Sequence, residues 1–114
     1  MTNSILDNAK EHFNEQLNNE LKSFEVPEWK ATVYYRPAMT FREQTKILDL
    51  QTSGKTSEAL IETIIIKALD KDGKHLFNNA DRVTLMNEAD PNVVVKVAAS
   101  LNGVNLPVEQ VEGN

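Results

Sequence analysis

Between Ser57 and Asp70 the chain reads SEALIETIIIKALD, the most apolar helical pattern it contains. Leu60, Ile61, Ile64, Ile65, Ala68 and Leu69 recur at i, i+1, i+4, i+5, i+8 and i+9, the broad stripe of a core helix. Ser57 is placed to cap its start. Three consecutive isoleucines keep a strand open for its second half, because β-branched side chains are stiff in a helix and at ease in a sheet. A stripe of that breadth has to be covered by neighbouring segments.

The neighbours are legible by their ends. Ser4 with Asp7 three residues on marks a helix start, and Ala9, Phe13, Leu17, Leu21 and Phe24 follow at steps of three or four. Four-residue steps overshoot a full turn by about 40° each, so this stripe is narrow and drifts. Glu11 and Glu15 repel one another at i,i+4, and the helix, expected over Ser4 to about Lys22, needs docking to persist. It packs either at the edge of its own domain or against a partner. Pro27 ends the helical pattern, and Thr32, Val33, Tyr34 and Tyr35 are strand formers. Phe24 to Val26 and Ala31 to Arg36 are expected to pair as a hairpin, with Trp29 at the turn as a lid on the core or an exposed anchor.

Thr40 with Glu43 forms a capping box for a helix running to about Leu50. The polar connector QTSGKTS follows it. Asp72-Gly73 is a turn, Asn78 or Asn79 caps a short helix carrying Ala80, Val83 and Met86, and Asp90-Pro91 restarts a helix with Val93, Val94, Val97, Ala98 and Leu101 on one face. Asn102-Gly103 stops it. The fold class expected is mainly α, a small α+β arrangement of about five helices with a short antiparallel β-hairpin near residues 24–36. Residues 1–103 form one domain, with the helix over 4–22 peripheral, and 104–114 form a mobile tail.

Composition narrows the chemistry. With 114 residues, 40% hydrophobic and 25% charged, the chain resembles an ordinary folded domain. A net charge of −5 argues against a general nucleic-acid binder, which needs a basic face. There is no cysteine, so disulfides and thiolate chemistry are excluded. The polar N-terminus does not read as a signal peptide, and the apolar runs are too short to span a bilayer, so neither membrane nor export is expected.

Two stretches imitate known sites. DKDGKHLF, Asp70 to Phe77, suggests a calcium loop, but either register puts a wrong residue where an oxygen ligand, the glycine or the final glutamate must stand. Gly54-Lys55-Thr56 imitates the end of a phosphate-binding loop, but Asp49 occupies the position of the first glycine. His12 and His75 belong to no ligand spacing, no serine sits in a nucleophile motif, and Glu58 with Glu62 reads as a solvated helix face. No catalytic residue, metal site or cofactor is expected, which points to a protein that works by contacts.

Two segments carry a resemblance. ALDKDGKHLFNNADRVTLMNEADPNVVVKVAASLN, Ala68 to Asn102, resembles the tail assembly chaperones of long-tailed bacteriophages, with their aspartate-glycine turn, short acidic helix and final helix closing on Leu-Asn. VPEWKATVYYRPAMTFREQTKIL, Val26 to Leu48, is similar to the Pro-Glu-Trp hairpin and capped helix of that family, and the likeness spans most of residues 24 to 112. It implies a non-catalytic helper in the host bacterial cytoplasm that binds and solubilises the helical tape measure protein and recruits major tail tube subunits. Such a protein is absent from the mature virion, self-associates, and is in many cases also made in a frameshifted longer form. A structural tail or head–tail connector subunit, retained in the particle, is the alternative. Candidate partner-binding residues are Phe13, Leu17 and Leu21 on the narrow stripe and Trp29, Tyr34 and Tyr35 on the hairpin.

Overall fold

The computed structural model describes residues 4–18 and 21–103. The expected mobile tail at 104–114 lies outside the described residues. In chain order the elements are α1 (Ile5–Leu17), β1 (Lys22–Val26), β2 (Ala31–Tyr35), α2 (Phe41–Thr52), α3 (Thr56–Lys67), α4 (Arg82–Glu88) and α5 (Pro91–Leu101). Short 3-10 turns at Pro27–Trp29 and Asn79–Asp81 lead from β1 towards β2 and directly into α4. The architecture is the mainly α, small α+β fold expected, with five helices and a two-stranded antiparallel sheet among the described residues.

The core gathers around α3. Ile61, Ile64 and Ile65 pack with Val93, Val94, Val97, Ala98 and Leu101 of α5, Leu85 of α4, and Val26 and Val33 of the hairpin. The hairpin register, Phe24 opposite Val33 and Val26 opposite Ala31, puts these apolar residues on one face and Ser23, Glu25, Thr32 and Tyr34 on the other. Phe24 meets Tyr35 edge to face at 5.8 Å, and Trp29 meets Phe77 in the same way at 6.0 Å. Both pairs sit against the core. Trp29 is therefore half-buried as a lid.

The caps at Ser4, Thr40, Asn78 and Asp90 form as their spacing indicates, and at Thr40 and Asn78 the bonds are reciprocal. At three places the structure departs from expectation. First, α1 stops at Leu17 rather than near Lys22, because Asn18 closes it and Lys22 is already paired with Tyr35 in the sheet. Second, Ser57 does not cap α3; the helix begins at Thr56 behind Lys55, with Ser57 inside its first turn. Third, α3 is helical through all three isoleucines but ends at Lys67, two residues short of the apolar stripe. Ala68 turns to an extended conformation, and the backbone of Leu69 exchanges hydrogen bonds of 2.8 and 3.0 Å with Tyr34. Leu69 also bridges to His75, so the segment after α3 extends the sheet from the free edge of β2. The aspartate-glycine turn closes this extension. Gly73 adopts φ +83°, and Asp70 Oδ1 accepts from the backbone N–H groups of Asp72 and Lys74 at 2.8 and 3.0 Å.

One residue of the hairpin is strained. Lys30 follows the Pro27–Trp29 turn at φ 53°, in the left-handed region where a side chain crowds its own carbonyl. Lys30→Gly is expected to stabilise the fold by about 0.5–1 kcal/mol, because glycine occupies that region without the crowding. Urea unfolding should show a higher midpoint at unchanged slope; a lower midpoint would mean that the lysine side chain contributes more than the backbone loses.

Candidate functional site

Glu62 stands on the second-to-last turn of α3, surrounded by the residues of the core stripe. The expectation of a solvated Glu58 and Glu62 face fails here, because Glu62 is only 3% exposed. A bare carboxylate at that depth would be strongly destabilising. Two cations from flanking elements answer it. Arg82, at the start of α4, donates from Nη1 to Oε1 at 2.6 Å, and Lys46 of α2 lies 3.1 Å from Oε2. Arg82 is itself oriented by Asn79 Oδ1, which accepts from Nη2 at 2.9 Å. Burial pushes the Glu62 carboxyl up, but the hydrogen bonds and charges of Arg82 and Lys46 outweigh burial and hold it below the usual glutamate range. One buried carboxylate thus ties three helices together.

The tie props open a groove. Between α2 and α4, over the side of α3, lies a cleft of about 510 Å³ whose apolar lining comes from Leu50, Ile61, Val83 and Met86. Lys46, Asp49, Glu58 and Arg82 stand among its walls. A second hollow of about 310 Å³ continues on the far side of Met86 and Asn87, lined by Leu60, Ile61, Val94 and Val95. Along this track Val83, Met86 and Val95 are exposed, with Val83 65% open to solvent. An exposed valine is ordinary singly; three large apolar residues following one groove mark a contact surface. The two cations of the wall are committed to Glu62, while the carboxylates of Asp49 and Glu58 make no ion pair among the described residues.

The residues singled out on the sequence lie elsewhere and apart. Phe13 and Leu17 are half-buried on α1 and line a different cleft with Met39, Ile66 and Leu69, while Leu21 precedes β1 and is half-buried. Trp29 lines a third hollow beside Phe77 and Leu85. Tyr35 rests on Phe24, and Tyr34, on the opposite face of the hairpin, bridges to Leu69. The hairpin residues therefore spend much of their surface within the fold. No residue of α1 is fully buried, and Ile5 and Leu6 are exposed at its start. The groove was missed because its lining is shared among three helices; the clue was Val83 and Met86, three apart on a helix with little else apolar. Comparison with protein-family models, with curated proteins and with solved structures gives no match for this chain.

The ion pairs rank the partners of Glu62. Glu62→Gln is expected to cost about 2 kcal/mol at neutral pH, since it leaves Arg82 half-covered without its acceptor. Arg82→Ala should cost nearly as much. Lys46→Ala should cost less than about 0.5 kcal/mol, because the Lys46 side chain is 60% exposed. A carboxyl held low in the folded state stabilises the fold above its unfolded pKa, and that stability is lost as pH falls through the folded pKa. The wild type should therefore lose stability below about pH 4.3, and Glu62→Gln should lose less over the same window. Equal losses from Lys46→Ala and Arg82→Ala in urea titrations would refute the ranking.

Proposed function

We propose that this protein is a non-catalytic phage tail assembly chaperone that covers apolar stripes of the tape measure protein until tail tube subunits assemble on it. The observation that carries this reading is the groove over α3. Its exposed apolar track suits one face of an amphipathic helix, whose contacts recur at i, i+3, i+4 and i+7. A tape measure helix presents such stripes and aggregates when they are left bare. The uncommitted carboxylates of Asp49 and Glu58 favour a client helix with lysine or arginine flanking its apolar face. The net charge of −5 keeps a complex with such a client soluble. The likeness of residues 24 to 112 to the tail assembly chaperones supports the same reading, as does the absence of any catalytic motif from the sequence.

Self-association and the host cytoplasm belong to this proposal, and so does absence from the virion. The groove, rather than the stripe on α1 or the hairpin aromatics, is proposed as the client surface, because Val83 and Met86 are exposed while Trp29 and Tyr35 are engaged within the fold.

Co-expression with the tape measure protein encoded nearby provides the test. Soluble client should rise with the wild type and fall about tenfold with Val83→Asp combined with Met86→Asp, a loss of roughly 1.4 kcal/mol of binding. Both positions are exposed, so the double variant should unfold within about 1 kcal/mol of the wild type. If Phe13→Ser with Leu17→Ser abolishes solubilisation at full stability while the groove variant does not, the client surface is α1. If no variant and no wild type solubilises the client, and the protein is found in purified virions by mass spectrometry, a structural subunit replaces the chaperone.

A further inference from the structure

The helix that buries Glu62 ends on a second charged residue that is buried for most of its surface. Lys67, the last residue of α3, is 7% exposed and has no ion-pair or hydrogen-bond partner among the described residues. Its position at the C-terminal end of the helix offers only the partial negative charge of the last carbonyls. Burial pulls its ammonium pKa below the usual lysine range.

The sheet extension brings a second cation to the same place. The bridge between Tyr34 and Leu69 brings the end of β2 to the end of α3, and Arg36, just past β2, lines the same cleft as Lys67. The Arg36 guanidinium lies against the aspartate-glycine turn, where the Cβ position of Gly73 is 3.2 Å from its Nη2. Its Nε is buried and has no acceptor. Arg36, Lys67, Gly73 and His75 share one cleft of about 220 Å³, closed on another side by Phe13 and Leu17 of α1. The acid on this cleft is Glu43, and its Oε1 already accepts from the Thr40 backbone N–H at 2.9 Å. In a chain of net charge −5, two cations gathered around an unmet donor are unexpected.

We propose that this cleft is an oxyanion site, in which Lys67 and Arg36 together hold one carboxylate- or phosphate-sized anion beneath α1. A planar guanidinium presents Nε and one Nη side by side to two oxygens, and the ammonium supplies a point charge to the same group. The volume suits a single oxyanion group. Such an anion supplies the acceptor that Nε lacks and offsets the two positive charges lining the cleft. The site is independent of the groove over α3, and it stands whether or not that groove binds a client.

Titration of the full chain with sodium phosphate against sodium chloride at matched ionic strength, followed by amide NMR, tests the proposal. Saturable shifts are expected at Arg36, Lys67, Gly73 and His75, with the melting temperature rising in phosphate. Lys67→Met keeps the apolar stem and should weaken phosphate binding about tenfold or more, since a hydrogen bond to a charged group is lost. Arg36→Gln provides a second variant with the same expectation. A sodium acetate arm separates the sources: saturation by acetate at similar concentration points to an acidic side chain or chain terminus, and saturation by phosphate alone to a phosphoryl group. Shifts that never saturate, that match those of chloride, or that persist unchanged in Lys67→Met overturn the site.

Discussion

A charge cannot be left alone in the middle of a small protein, and α3 carries one where the packing is densest. Glu62 lies between the isoleucines that build the core, so the helices around it are constrained by more than apolar contact. Arg82 reaches in from α4 and Lys46 from α2, so both helices present a cation to the same carboxylate. Replacing the trio with apolar residues would offer comparable stability but no preferred placement of α2 and α4. The groove lies between those two helices where both pack on α3, with the polar trio in its wall.

The local grammar of the fold was legible residue by residue. Thr40 with Glu43 and Asp90 with Pro91 state where a helix begins without reference to the rest of the chain, since capping is an interaction over two or three positions. The apolar stripe of α3 located the core for the same reason. What escaped was set at a distance. Glu62 looked solvated because its partner stands twenty residues on, in a helix whose seating no periodicity encodes. Leu69 fitted the helical spacing and was taken by the sheet instead, because Tyr34 had an unpaired backbone edge to offer. Of the candidate site, Val83 and Met86 were visible as apolar residues of a short helix, but their openness depends on how α4 docks.

The back of the hairpin tells a complementary story. The face with Val26 and Val33 closes the core, while the free edge of β2 is extended by Leu69 and His75, which share a cleft with Phe13 and Leu17 of α1. Two surfaces of different character result: an apolar groove bounded by spare carboxylates, and a small cationic cleft on the other side of α3. They lie at opposite ends of the same helix's chemistry, around Glu62 and Lys67.

The short helix α4 has seven residues, and only Leu85 among them is buried. Apart from that leucine and the bond from Arg82 to Glu62, hollows flank it towards α2, α5 and the hairpin. An element fastened at two points pivots about them at little cost, whereas α3 and α5 interlock along their length. α4 is therefore the wall of the groove that gives most easily, and the width of the cleft is its least constrained dimension. A groove walled in this way admits helices of unequal girth more readily than one set between two fully packed helices.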